Sequence, residues 1–109
     1  MKLEVGQFVR TKRDGIGKII SLSIGEEDEC CFIELSNRRT GIKEHNILKA
    51  SHNIIDLIEV GDYVNGDLVK SIQIDSYKSF NLNNNGWDCD EIKSIVTKEQ
   101  FEAMQYKVV

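Results

Sequence analysis

Proline is absent from the 109-residue chain, against a usual share of about 5%, and this omission excludes no function. Other absences exclude more. No apolar run approaches the roughly 18 residues that a membrane-spanning helix needs. Met1-Lys2-Leu3-Glu4 leads straight into a strand pattern with no signal-peptide apolar segment, so a cytoplasmic protein is expected. Cysteine is scarce and odd in number: Cys30 and Cys31 are adjacent, a spacing that disfavours a bridge, and Cys89 stands alone, so reduced thiols are expected. Neither Cys-x-x-Cys nor His-x-x-x-His occurs, which argues against zinc and leaves only a composite of Cys30, Cys89 and His45 as metal donors. No metal or cofactor is expected. There is no phosphate loop, and nothing pairs a nucleophile with a base, so the chain reads as non-enzymatic.

What is present is ordinary for a globular protein: 40% apolar and 29% charged residues, enough for a modest core and too apolar for global disorder. Charge is shared unevenly. Residues 1–58 hold nine basic groups against nine acidic ones, whereas the remainder holds five lysines against nine acids and carries the whole net charge of -4. Duplex nucleic acid is repelled by such a second half, so backbone binding would need a local patch in the first.

The strongest organising signal is a repeat. Glu4-Val5-Gly6-Gln7-Phe8-Val9 returns as Glu59-Val60-Gly61-Asp62-Tyr63-Val64, with the two differing positions chemically similar. A glycine-marked turn and an apolar alternation follow each copy, Ser21-Leu22-Ser23-Ile24 in one and Ser71-Ile72-Gln73-Ile74 in the other. Two related β units are therefore expected, 1–58 and 59–109, packed as one compact domain.

Within the first unit, a strand from Phe8 to Lys12 meets an Asp14-Gly15 turn, and Gly17 opens a second strand whose Ile20, Leu22 and Ile24 face inward. Gly25 to Glu29 forms an acidic loop tip, and Cys31, Ile33 and Leu35 are the inward face of a third strand. Thr40 to Glu44 makes a short strand, and His45 to Ala50 is either a strand or a one-turn helix. Asn53 to Ile58, apolar and β-branched, closes the unit. In the second unit Asn65-Gly66 predicts a type I′ hairpin. Phe80 and Leu82 mark a strand ended by Asn83-Asn84-Asn85-Gly86, and Trp87 begins the return. Thr97-Lys98-Glu99-Gln100 has the form of a capping box, so a C-terminal helix with Phe101 and Met104 on one face is expected. The fold class is all-β with one C-terminal helix.

Two resemblances bear on function. Gly6-Gln7-Phe8-Val9 followed by Gly15-Ile16-Gly17-Lys18-Ile19 resembles the opening of KOW-type Src-homology-3-like small barrels, which implies a barrel for the first unit. These glycines serve backbone geometry, so the likeness implies fold more than nucleic-acid binding. The stretches Asn53 to Gly66 and Ile92 to Phe101 resemble small, mostly uncharacterised accessory proteins of bacteriophages and prophages of low-GC Gram-positive bacteria. That resemblance implies a mobile-element accessory protein that blocks host defence or redirects host machinery by binding, and inhibition of a component of host defence is the leading expectation.

Two candidate sites follow from the residues themselves. Arg10, Lys12, Lys18, Arg38 and Arg39, with Phe8 or Phe32 nearby, could converge into a basic patch for a signalling nucleotide or a single strand of nucleic acid. The nucleotide reading places the ligand between subunits and so implies a homo-oligomer. Trp87, Tyr63, Tyr77 and Phe80 offer aromatic contact area for a protein partner, with core packing as the competing role. His45 and His52 lack a flanking nucleophile, and Asp88, Asp90 and Glu91 lack the spacing of a calcium loop; these read as surface residues.

Overall fold

The computed structural model describes residues 2–22, 29–75 and 79–104. Among these the chain is mainly β: eleven strands in three antiparallel sheets and one short C-terminal helix. It divides into two compact units, Met1–Leu57 and Ile58–Val109, a boundary one residue from the start of the second repeat phrase.

The first unit is a five-stranded sheet built from β1 (Phe8–Thr11), β2 (Ile16–Leu22), β3 (Glu29–Glu34), β4 (Arg39–Lys43) and β5 (Ile47–Ser51), in the order β4-β3-β2-β1-β5. The expected barrel is not closed. β4 and β5 are the two edges, and no ladder joins them among the described residues. A 3-10 turn, Glu44–Asn46, carries the chain from one edge to the other, so the segment read as strand or helix contains both. The core gathers Val9, Ile19, Cys31, Ile33, Ile42 and Ile47 on one face of this sheet. Gly17 permits that packing: a Cβ there would stand 3.0 Å from Ile33 Cδ1 and 3.1 Å from the Glu34 carbonyl.

The phase of β2 differs from the expected alternation. Ile19, in phase with Gly17 and opposite Ile33, enters the core rather than Ile20; a register shift between Ile19 and Ser21 then inserts one residue and sets Leu22 opposite Cys31, where it remains 44% exposed near the end of the sheet. β3 follows its expected phase, with Cys31 and Ile33 buried and Phe32 outward. Gly25 to Asp28 and Ile24 lie outside the described residues. The unit closes on a 3-10 turn, Ile54–Leu57, despite its β-branched composition. Local polar chemistry decides this: Ser51 Oγ accepts from the Asn53 amide at 3.1 Å and donates to Asp56 at 2.6 Å, bending the backbone before a ladder can form.

The second unit contains two three-stranded sheets. One has the order β11-β6-β7, from β6 (Tyr63–Val64), β7 (Asp67–Leu68) and β11 (Ile95–Val96); the other has the order β10-β9-β8, from β8 (Ile72–Ile74), β9 (Ser79–Leu82) and β10 (Asn85–Asp88). Asn65 and Gly66 have φ of 51° and 86°, the pair of left-handed angles that a two-residue type I′ turn requires. Asn83 and Asn84, at 54° and 67°, repeat the arrangement between β9 and β10, which leaves Gly86 in the strand rather than the turn. The Thr97 capping box is present: the Gln100 amide donates to Thr97 Oγ1 and the Thr97 amide to Gln100 Oε1, both at 3.1 Å, opening α1 (Lys98–Met104).

The repeated phrase adopts the same local structure twice. Gly6 and Gly61 have φ of 94° and 102°, a left-handed turn position that side chains resist. The Gln7 amide donates to the Glu4 carbonyl at 3.2 Å, and Asp62 to Glu59 at 3.1 Å. Gly6 donates to Ile19 and Gly61 to Val69, both at 2.9 Å, while Ile19 and Val69 donate back to Gln7 and Asp62, both at 2.8 Å. Val9 and Val64 are then buried, and Val5 and Val60 sit exposed at the turn tips. The two copies thus share hydrogen bonds as well as letters.

Candidate partner-binding surface

Of the basic set, Lys12, Lys18, Arg38 and Arg39 are exposed and Arg10 is not. Arg10 is fully buried, and its Nη1 donates to the Leu57 carbonyl at 2.7 Å, so it leaves the set of surface cations. Arg38 pairs with Asp14 at 2.7 Å, and Arg39 Nε lies 3.3 Å from Glu34. Cross-strand register then explains the arrangement: Arg39, Glu34, Lys18, Phe8 and Ser51 stand opposite one another in a single row across β4, β3, β2, β1 and β5. A carboxylate therefore separates Arg39 from Lys18, and the Lys18 ammonium lies 5.7 Å from the centre of the Phe8 ring. Lys12 is exposed in the β1–β2 loop. His52 pairs with Glu4 at 3.0 Å, and His45 is exposed on the 3-10 turn.

Asp88 and Glu91 form a capping box around the 3-10 turn Cys89–Glu91, the structural role of that acidic cluster. Among the described residues no group of three His, Cys, Asp or Glu side chains is placed to hold a metal. All three cysteines are free thiols. Cys31 is fully buried beside Cys30, with the sulfurs 3.8 Å apart; burial first, and the Cys30 sulfur second, push its thiol up to about 12.

The aromatic set fares differently. Tyr63 lies opposite both Val96 and Leu68, so these three side chains share one face of the β11-β6-β7 sheet. Val96 is 39% exposed and Leu68 38%. Phe101 of α1 adds its ring, 5.7 Å from that of Tyr63 and 46% exposed. Together they make an open apolar strip of one aromatic pair flanked by two aliphatic side chains. Its foundation is rigid: the Asp62 carboxylate, fully buried just before Tyr63, accepts from the Lys98 amide at 2.9 Å and the Glu59 amide at 2.7 Å, while Lys98 pairs with Glu59 at 2.9 Å. The helix bearing Phe101 is thereby tied to the strand bearing Tyr63.

Trp87 is half-buried on β10, opposite Phe80, which fills the core as the competing reading of the aromatics required. Trp87 itself lines a cleft of about 320 Å³ in the second unit, with Leu68, Asp67, Lys70 and Asn85 around it. Asn83 anchors the cleft wall, accepting from the Lys70 amide at 2.6 Å and donating to the Leu68 carbonyl at 2.8 Å. Tyr77 lies outside the described residues. Leu68, Val96 and Phe101 went unnoticed as surface residues in the sequence, although the Asn65-Gly66 turn fixes the register that sets Leu68 against Tyr63.

The chain matches no family model, no curated protein and no solved structure.

Proposed function

We propose that the chain is a non-enzymatic binding protein that docks on a protein partner through the second unit, with the strip of Tyr63, Phe101, Leu68 and Val96 as the contact centre. The observation that carries this reading is the strip: Leu68, Val96 and Phe101, each 38–46% exposed, stand beside the half-buried Tyr63 as its cross-strand or ring neighbours, whereas the unit's other exposed large apolar residues, Val60 and Ile74, lie outside this row. Contiguous exposed apolar surface of this kind costs solubility and is kept where a partner covers it, and aromatic anchors carry a disproportionate share of interface energy. The resemblance to bacteriophage accessory proteins supplies the partner class: a component of host defence in a Gram-positive bacterium, inhibited by occlusion. Nucleotide sequestration and nucleic-acid binding are weaker readings, because Arg10 is spent inside the fold and Arg38 and Arg39 face carboxylates.

The test compares the wild-type chain with a Leu68→Ser, Phe101→Ser variant as baits in such a lysate, with quantitative mass spectrometry. A protein recovered in stoichiometric amount by the wild type and lost by the variant is expected. Recovery of none, or of one partner equally by both baits, would overturn the reading.

A further inference from the structure

The cleft beside the strip has a chemistry of its own. Val64, Val69 and Leu82 form its floor but are themselves only 1%, 1% and 3% exposed, so apart from Leu68 at the rim, 38% exposed, little aliphatic surface is left for an apolar occupant to cover. What the cleft presents is the Trp87 indole and, at its rim, Asp67, Lys70 and Asn85. Among the described residues the Asp67 carboxylate enters no ion pair, and Val64, its cross-strand partner, offers it no charge. The unit around it holds nine acids against five lysines and no arginine. Its field favours a cationic visitor over an anionic one, and no arginine of the same unit is available to fill the cleft.

We propose that this cleft receives a single arginine side chain of the partner, laid against the Trp87 indole with its guanidinium met by the Asp67 carboxylate. Tryptophan is the best aromatic face for a cation. A guanidinium is planar, weakly hydrated and matched to a carboxylate by two parallel hydrogen bonds, which a lysine ammonium cannot form. The volume of about 320 Å³ lies at the small end for a ligand pocket, the scale of one long side chain and its flanking backbone. Lys70, on its flexible stem at the rim, opposes the visitor and so discriminates against weakly held cations. The inference rests on the protein-binding reading above and gives that surface its specific anchor; Leu68, which belongs to both strip and cleft, joins the two.

Trp87 is the chain's one tryptophan, so its emission reports the cleft without a label. The full chain is titrated with an acetylated glycine-serine hexapeptide carrying one central arginine, and with matched peptides carrying citrulline, leucine or glutamate instead. A saturable emission change for the arginine peptide alone is expected. Asp67→Asn should weaken it by roughly tenfold, the loss of a charge-assisted contact, and Lys70→Gln should strengthen it. Asp67 is exposed, so its substitution leaves the fold intact, and the citrulline peptide tests the charge on the unaltered protein. No saturable change with arginine, an equal response to citrulline, a stronger response to leucine or glutamate, or indifference to Asp67→Asn would each overturn the proposal. Should the peptides fail while Leu68→Ser, Phe101→Ser still loses its partner, the arginine receptor falls and the protein-binding reading stands.

Discussion

Asp62 and Gln7 occupy the same place in two copies of one turn, yet they do different work. Each side chain accepts from the amide three residues earlier, Glu59 at 2.7 Å and Glu4 at 2.9 Å. Only Asp62 is fully buried, and only its second oxygen reaches a helix, at the Lys98 amide. Exchanging the two residues should therefore be asymmetric. Gln7→Asp keeps its one exposed bond and should change stability by no more than ~0.5 kcal/mol. Asp62→Gln adds a methylene to a closed site and has one acceptor oxygen where the carboxylate has two, so one of the Glu59 and Lys98 amides loses its partner, for a loss of about 1–3 kcal/mol in urea denaturation. Equal losses for both would show that the copies are equivalent in energy as well as in shape. Cys31 gives a residue-scale pH dependence. Its thiol is raised from 9.0 to about 12, so the folded state holds the proton more tightly than the unfolded chain does. The associated stability is fully present below about pH 9 and is lost as pH climbs toward 12. Urea midpoints between pH 8 and 11 should fall for the wild type and fall less for Cys31→Ala. Iodoacetamide at pH 8 should leave Cys31 unmodified until urea is added.

Elements whose cause is local were legible in the sequence. Asn65-Gly66, Asp14-Gly15 with Gly15 at φ 77°, and the Thr97–Gln100 capping box each rest on a few neighbouring atoms, and each formed as read. Elements decided at a distance were not. Simple alternation opposes Arg10 to Val9 and so sends it to water. In the fold, the Leu57 carbonyl, brought over that face by the 3-10 turn, accepts its guanidinium from 47 positions away. The shift between Ile19 and Ser21 likewise depends on how β3 pairs, which no property of β2 alone reveals. The β9–β10 turn permits a prediction at this scale. Asn84 sits at φ 67° where a type I′ turn favours glycine, so Asn84→Gly should stabilise by a few tenths to ~1 kcal/mol. Asn83→Gly suits the same backbone but removes the side chain that serves the Lys70 and Ser71 amides and the Leu68 carbonyl, so a loss of about 2 kcal/mol is expected. Thermal unfolding of the two variants, shifted in opposite directions, separates backbone preference from side-chain bonding.

At the scale of the whole molecule, net charge and its division between halves were readable, whereas pairing between charges was not. Nine basic groups in residues 1–58 suggest a patch only until the fold sets Asp14 against Arg38 and Glu34 against Arg39. Such surface pairs add at most ~1 kcal/mol each to stability, but they cancel the local field on which phosphate recognition depends. Affinity for nucleic acid rests on releasing several counterions at once, and a row in which Glu34 stands between Arg39 and Lys18 releases few. The chain should therefore show no saturable binding to duplex DNA or single-stranded RNA in fluorescence polarisation at 150 mM salt. Glu34→Gln with Asp14→Asn, which frees both arginines, should raise weak low-salt binding by about 1.8 in salt slope, close to 0.9 per phosphate gained. If the unaltered chain bound either nucleic acid tightly at that salt, the neutralising role given to Glu34 and Asp14 would be wrong, and the basic row rather than the apolar strip would be the surface to pursue.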